Sequence, residues 1–342
     1  MKFRELSNEQ RRQLVDAQQA FKVWREADQE FRHGYPPIYK GYRAQMRWKP
    51  VHGREYLYRG NKSLGLRSPE TERIKAEYTD QRTKLRARLT RLENRLEDMR
   101  PVNRAMGLGR IPDIAARVLR RLDNEGLLGK HLFVAGTHAM FAYEARTGVL
   151  FDGDLTATAD IDFLWDARQR FTFLMQDVQE RGVLGLLQQV DDTFRKHNTY
   201  NAANSDPYLV DFIRPEQSQE GFKATPAFTK IAGDIEPAAI DGLQWLVNAP
   251  KFEDVAIGED GSPLLLSCVD PLVFSLHKLW VSKKFGRGQQ ARRDAAQAVA
   301  VASMAQIYLG AKLDKKSLKE IPSVLLAGLD ELAKAIRAQA AA

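Results

Sequence analysis

The sequence predicts an α+β fold, with a central block of alternating helices and strands between an N-terminal helical module and a C-terminal mainly helical domain. Three observations support this prediction. The chain has 342 residues, enough for two or three domains. Apolar residues recur with a helical period near both ends, whereas short apolar runs typical of strands lie in the middle. Residues 1–110 hold 26 Lys and Arg against 14 Asp and Glu, while the remainder holds 26 against 30. We therefore expect domains at residues 1–105, 106–220 and 221–342.

The composition excludes several classes of protein. Apolar residues make up 44% and charged residues 28% of the chain, which is too apolar for a disordered protein. The single cysteine, Cys268, excludes a disulfide framework and a cysteine-based zinc site. The first residues lack the apolar core of a signal peptide, and no apolar run reaches the roughly 20 residues of a membrane helix. We expect a cytoplasmic protein that does not enter membranes.

The N-terminal module begins with an amphipathic helix predicted over Ser7–Phe31. An aromatic and arginine-rich segment follows over residues 38–68; its aromatic residues include Tyr39, Tyr42, Trp48, Tyr56 and Tyr58. These rings could stack on nucleic-acid bases, or they could pack a small hairpin against the domain. A second helix is predicted from Ser68 to about Asp98, and we expect Pro101 to end it. The basic surplus indicates either contact with a polyanion such as RNA or a solvated basic surface.

The central block alternates strands with helices. Strands are predicted at His131–Ala135, Thr158–Trp165 and Tyr208–Ile213, with a helix over Thr137–Arg146 after the first. The C-terminal domain is predicted to contain a hairpin with strands Phe252–Ile257 and Pro263–Cys268, then helices over Asp270–Lys284 and Gly288–Leu309.

Three acidic residues lie on two of the predicted central strands. Asp160 and Asp162 share one face of their strand because side chains alternate in direction along a strand. Asp211 lies in the otherwise apolar strand Tyr208–Ile213, where an unpaired charge is costly. If the two strands are neighbours, all three carboxylates could hold a pair of divalent cations. The alternative is that Asp160 and Asp162 form a solvent-facing acidic edge.

A strand–Gly–Thr–helix segment precedes these acids. Gly136 would let a phosphate approach the backbone, and Thr137 would add a hydroxyl donor at the start of a helix. The alternative is an ordinary turn glycine followed by an ordinary N-cap threonine.

This order of motifs resembles the DNA polymerase β-type nucleotidyltransferase superfamily. The segments Gly136–Glu144, Ala159–Phe163, Asp270–Pro271, His277–Trp280 and Arg293–Asp294 further resemble a little-characterised bacterial nucleotidyltransferase-fold family, over most of residues 50–305. Two features depart from the superfamily pattern: Thr137 replaces the usual Ser or Gly, and the gap before Asp160 is long. We expect residues 147–158 in that gap to form a loop near the site.

The resemblance implies a nucleotidyltransferase-like mixed β-sheet core with flanking helices and a metal-dependent transfer of a nucleoside monophosphate. Asp160, Asp162 and Asp211 would be catalytic and would hold two Mg²⁺ ions, or Mn²⁺. Gly136 and Thr137 would bind the phosphates of a nucleoside triphosphate such as ATP. Lys278 would supply a positive charge to the triphosphate or, alternatively, would be a surface lysine covering apolar neighbours.

On the helix after Lys278, Arg293 could reinforce the binding of the nucleotide. Asp294 could form an ion pair with Lys278 or with an arginine. The favoured acceptor is an RNA or tRNA end, held by the basic N-terminal third. The alternatives are a hydroxyl on a protein side chain, as in AMPylation, a small molecule, or a non-catalytic module that binds nucleotide or RNA.

Overall fold

The structure of the protein is a computed structural model that describes residues 2–33, 41–168, 176–216, 228–229, 231–316, 318 and 321–341. The chain forms two compact units. A larger unit contains residues 1–12 and 106–342, and a smaller unit contains residues 13–105. The three-domain division expected from the sequence stays a prediction.

The elements of the first 105 residues are β1 (Phe3–Glu5), α1 (Asn8–His33), β2 (Met46–Val51), β3 (Arg54–Arg59), β4 (Lys62–Leu66) and α2 (Pro69–Ala105). The elements that follow are α3 (Asp113–Asn124), β5 (Leu132–Ala135), α4 (Ala139–Thr147), β6 (Val149–Phe151), α5 (Gly153–Thr156), β7 (Asp160–Trp165), α6 (Gln176–Gln188), β8 (Arg195–Lys196), β9 (Asn201–Ala203), β10 (Leu209–Pro215), β11 (Ala238–Ile240), α7 (Leu243–Asn248), β12 (Lys251–Ile257), β13 (Pro263–Val269), α8 (Pro271–Ser282), α9 (Gln289–Leu309), α10 (Ser323–Leu326) and α11 (Leu329–Ala341). A single 3₁₀ turn, Gly136–His138, joins β5 to α4.

A mixed β-sheet forms the centre of the larger unit. Its strand order is β12-β13-β5-β7-β10-β9-β8, and β11 pairs with β10. The pairs β7–β10 and β5–β13 are parallel, whereas β5–β7, β9–β10 and β12–β13 are antiparallel. The mixed sheet with flanking helices confirms the predicted fold class. The predicted C-terminal hairpin, β12–β13, extends this same sheet.

The two hydrophobic clusters of the larger unit fix the positions of its sheet and C-terminal helices. The main cluster contains residues from β5, β7, β10 and β13 together with α3 and α4. The second joins α8 and α9 to α11 through a separate set of residues, including Leu276, Ala302 and Leu332. Because α8 and α9 pack along much of their lengths, residues on both helices have defined positions relative to each other.

The smaller unit contains a three-stranded antiparallel sheet, in the order β2-β3-β4, together with α2 and most of α1. Its hydrophobic cluster joins Met46 and Leu57 of the sheet to Phe31 of α1 and Tyr78 of α2. This arrangement matches the helical module predicted for the N-terminal third, with three strands where a two-stranded hairpin was expected.

Two local expectations were wrong. Pro101 does not end α2, which continues to Ala105. The last turn is held by Asn103, a buried residue that accepts a hydrogen bond from the side chain of Gln13 at 2.8 Å. Residues 147–158 do not form a plain loop, because they contain β6 and α5. In the described part of the chain, no helix has the length and apolarity required to cross a membrane.

Candidate active site

The three predicted acidic residues lie together on two adjacent strands. Asp160 and Asp162 are on β7, and Asp211 is on β10, directly opposite Asp162 in the parallel register. The residues next to them on the strands, such as Ile161 and Phe212, are fully buried on the other face of the sheet. Alternation along the two strands therefore puts all three carboxylates on one face, with one oxygen of each within 4.8 Å of the others.

Burial and neighbouring charges raise the pKa values of two of the carboxylates, Asp162 and Asp211. Burial, and then the charges of Asp160 and Asp211, raise the pKa of Asp162 to about 7, although the charges of Lys278 and Arg287 oppose the shift. Burial also raises the pKa of Asp211. Both shifts follow from the placement of three acidic side chains close together in a partly buried site, with Lys278 and Arg287 near enough to act on Asp162.

The donor set fits a divalent cation. All three residues offer carboxylate oxygen, the ligand type that Mg²⁺ and Mn²⁺ prefer, and they lie close enough to share one or more ions. A cation among them would favour the ionised form of each carboxylate and offset their mutual repulsion. The hydroxyl of Thr158 donates a hydrogen bond to Asp160 and orients that carboxylate.

The turn after β5 lies against the carboxylates. Ala135, the last residue of β5, is opposite Asp162 in the antiparallel register. The next residue, Gly136, has a φ of +61°, and a Cβ at this position would lie 2.1 Å from Oδ2 of Asp162. Glycine is therefore required here both by the backbone conformation and by the approach of the carboxylate.

Thr137 is linked to the C-terminal helices through a buried glutamine. The side-chain amide of Gln297, on α9, donates hydrogen bonds to Oγ1 of Thr137 at 3.1 Å and to the carbonyl of Leu155 at 2.7 Å. Gln297 is 1% exposed. Since the threonine oxygen accepts this bond, the Thr137 hydroxyl proton remains available for another acceptor.

Arg293 contacts the segment that leads into β7. Its guanidinium donates to the carbonyl of Leu155 at 3.3 Å and to that of Ala157. The structure therefore brings Arg293 to the edge of the site, but with its donors on the backbone. Its part in binding a nucleotide stays a prediction.

Lys278 takes part in a buried ion-pair cluster beside the carboxylates. Its Nζ lies 2.8 Å from Oδ1 of Asp294, and Arg287 bonds the other oxygen of the same carboxylate. The predicted ion pair of Asp294 is thus present, and it involves both a lysine and an arginine. The helix that carries Lys278 begins at Pro271, where the side chain of Asp270 accepts hydrogen bonds from two backbone N–H groups.

The sequence reasoning missed four residues of this region. Asn201, on β9, donates a hydrogen bond from Nδ2 to Oδ1 of Asp211 at 2.6 Å. His138 is buried, its pKa is lowered to about 4 by burial, and its Nε2 lies 3.2 Å from the hydroxyl of Tyr208. Gln297 and Arg287 complete the set. Two of these pairings, His138 with Tyr208 and Gln297 with Thr137, join segments that are distant in the sequence.

Comparison with known proteins agrees with this arrangement. A family model described as nucleotidyltransferase matches residues 113–322, a range that contains every candidate site residue. No curated protein and no solved structure matches the chain significantly.

Proposed function

Because the chain belongs to this nucleotidyltransferase family, we propose that it transfers a nucleoside monophosphate from a nucleoside triphosphate to a hydroxyl acceptor and releases pyrophosphate. The observation that carries the proposal is the contact between the Gly136 turn and Asp162, beside Asp160 and Asp211. A turn that can receive phosphates lies next to carboxylates that can hold cations, which is the arrangement that phosphoryl chemistry requires.

Asp160 and Asp162 would hold the divalent ions, with Asp211 as a ligand on the acceptor side. When bound, Mg²⁺ or Mn²⁺ would lower the pKa of the attacking hydroxyl and neutralise charge on the leaving oxygen. Asp211 is oriented by Asn201 and would accept the hydroxyl proton.

The chain's neutral and positive groups would bind the triphosphate. Gly136 has no side chain of its own, so a phosphate could approach its backbone, and the hydroxyl of Thr137 can donate to a phosphate oxygen while Gln297 fixes its position. Lys278 would counter the triphosphate charge, held in place by Asp294. Arg293 would hold the segment before β7 and would add a second positive charge against the triphosphate.

The acceptor that we favour is an RNA end. The smaller unit has 21 Lys and Arg against 12 Asp and Glu, so it favours a polyanionic partner. A protein hydroxyl is the main alternative and would use the same chemistry.

The test incubates the purified chain with each α-labelled nucleoside triphosphate, Mg²⁺ or Mn²⁺, and either total RNA or cell-lysate protein. We expect label in RNA. Asp160→Asn and Asp162→Asn should each reduce transfer by at least about 100-fold, because each removes a negative charge that would hold the divalent ions at the reacting phosphate. Asp152→Asn, at an exposed carboxylate outside the cluster, is the matched control and should retain activity.

Label in protein would mean that the acceptor is a protein hydroxyl and not an RNA end. If the wild-type chain labels neither acceptor with any nucleotide, the proposed transfer is wrong. Nucleotide binding without transfer would then identify a non-catalytic binding module.

A further inference from the structure

The sheet of the smaller unit has two unlike faces. Met46, Trp48 and Leu57 point toward α1 and α2, where they belong to the hydrophobic cluster or pack against it. The sequence left open whether the aromatic residues of this segment serve packing or binding. Trp48 and Tyr42 serve packing, because both lie in or against that cluster. Tyr39 lies outside the described residues.

The opposite face, which we call the outer face, presents two tyrosines among basic residues. The antiparallel register puts Lys49 opposite Tyr56 and Arg47 opposite Tyr58. Because Trp48 and Leu57 point inward, alternation turns these four side chains outward. Lys49 Nζ lies 4.6 Å from the centre of the Tyr58 ring.

Both tyrosines of the outer face are half-buried and lie outside the hydrophobic clusters of the described chain. Neither hydroxyl has a hydrogen-bond partner among the described residues. Leu66, opposite Tyr56 on β4, is 41% exposed. The outer face is thus an apolar and aromatic surface that core packing does not account for.

Basic residues outnumber acidic ones in the strands that form this face. Met46–Leu66 contains five basic residues and one acid, Glu55. That acid forms an ion pair with Arg67. Arg47 and Arg54 are exposed, and neither has an ion pair with another described residue. An anionic partner is therefore the complement of this face.

We propose that the outer face binds a single-stranded segment of nucleic acid. Tyr56 and Tyr58 are two residues apart on one strand, roughly 7 Å, so each ring can stack on a different unpaired base. Arg47 and Lys49, directly opposite, can neutralise the phosphates between those bases. A duplex fits less well, because its bases are already stacked and a sheet cannot reach their faces. That the bound strand is also the acceptor rests on the function proposed above.

The first test measures binding of the full-length chain to a fluorescein-labelled, twelve-nucleotide RNA by fluorescence anisotropy, without nucleotide and with EDTA present. The Tyr56→Ala/Tyr58→Ala variant should lose about 5- to 150-fold in affinity for each ring removed. The Tyr56→Phe/Tyr58→Phe variant keeps both rings and should bind within about 2-fold of wild type. The same RNA annealed to its complement should bind more weakly.

The second test measures the salt dependence of the same binding. Arg47→Gln/Lys49→Gln should reduce the slope of log K against log salt by about 1.4, since each phosphate contact on a single strand contributes about 0.7. Arg91→Gln/Arg95→Gln removes the same charge at exposed positions of α2 and is the matched control. It should leave the slope nearly unchanged.

The inference is wrong if the wild type and the double-alanine variant bind the RNA with equal affinity, or if the phenylalanine variant loses as much affinity as the alanine variant. It is also wrong if the two glutamine variants have equal slopes of log K against log salt. A chain that binds no single strand even at low salt would point to a protein partner and would also overturn it. Asp160→Asn/Asp162→Asn should bind the RNA like wild type. A wild-type chain that binds the RNA but transfers no label would thus reject only the proposed function, and transfer with unaltered binding in the alanine variant would reject only this inference.

Discussion

Replacement of Gly136 by alanine tests whether the turn and the carboxylates form one site. The added methyl group would lie 2.1 Å from Oδ2 and 3.2 Å from Cγ of Asp162. The residue would also have to keep a φ of +61°, in the left-handed region that side chains disfavour. The substitution therefore combines a backbone cost with a clash against one identified side chain.

The backbone cost and the clash can each be estimated, and a second substitution separates them. A non-glycine residue in the left-handed region costs about 1–2 kcal/mol. The clash adds about 0.5–1.5 kcal/mol if the carboxylate of Asp162 escapes by leaving its preferred rotamer. In an Asp162→Ala background the clash disappears, because the Cβ of residue 162 lies 3.6 Å away, an ordinary contact distance. Gly136→Ala should then cost only the backbone part, about 1–2 kcal/mol.

The assay is urea unfolding of four proteins: wild type, each single variant and the double variant. Val134→Ala, a truncation of a fully buried residue on the strand before the turn, identifies the transition that belongs to the larger unit. We expect a coupling energy between positions 136 and 162 of about 0.5–1.5 kcal/mol. Gly136→Ala should also abolish the proposed nucleotidyl transfer, because it displaces Asp162, which we propose as a metal ligand.

A coupling energy near zero would refute this reasoning, since it would mean that Asp162 does not approach Gly136. Full transfer activity in Gly136→Ala would do the same, because neither the turn nor the carboxylate could then be where the structure has them.

Three further predictions concern the same site. The pKa of Asp162 is about 7 in the folded chain and 3.8 ordinarily. Between pH 3.8 and about 7, the metal-free folded state therefore keeps a proton on Asp162 that the unfolded chain has released. Unfolding measured against pH should therefore show stability falling from about pH 4 to 7, by at most about 4 kcal/mol, and Asp162→Asn should flatten the decline. Asn201→Ala should weaken Mn²⁺ binding, followed by calorimetry, by about 10- to 100-fold, because Asp211 loses the hydrogen bond that orients it; unchanged affinity would contradict this. Lys278→Gln should raise KM for the triphosphate by about 10-fold or more in steady-state assays, whereas a change in kcat alone would contradict a binding role.

The carboxylate cluster was predictable because it depends on a short-range rule. Alternation along a strand puts Asp160 and Asp162 on one face, and an acid in an apolar strand identifies Asp211. The structure adds the register that pairs Asp211 with Asp162. The ion pair of Asp294 was also predicted, since consecutive helices are usually neighbours. The mixed sheet followed from the resemblance and is confirmed.

Other features depend on contacts that no local pattern encodes. Asn201 matters only because β9 pairs antiparallel with β10, and a strand of three residues gives almost no periodic signal. Gln297 contacts Thr137 across 160 positions of sequence. Pro101 would end an isolated helix, but the buried side chain of Asn103 stabilises one more turn beyond it. A tertiary contact overrode local preference at Pro101, and the roles of Asn201 and Gln297 arise only from the folded arrangement.

The formal charges of the site indicate why metal and nucleotide should bind together. Asp160, Asp162 and Asp211 carry three negative charges, while Lys278 and Arg287 carry two positive charges that share the one negative charge of Asp294. The sum is −2, so a triphosphate alone would add negative charge to a site that already has an excess. Two divalent cations would supply +4 and would offset the charge of the triphosphate, so the net charge of the site would stay at −2. Asp294 is the decisive residue in this account. Without it the two basic side chains would partly neutralise the carboxylates and weaken the attraction for cations, and the triphosphate could bind in their place.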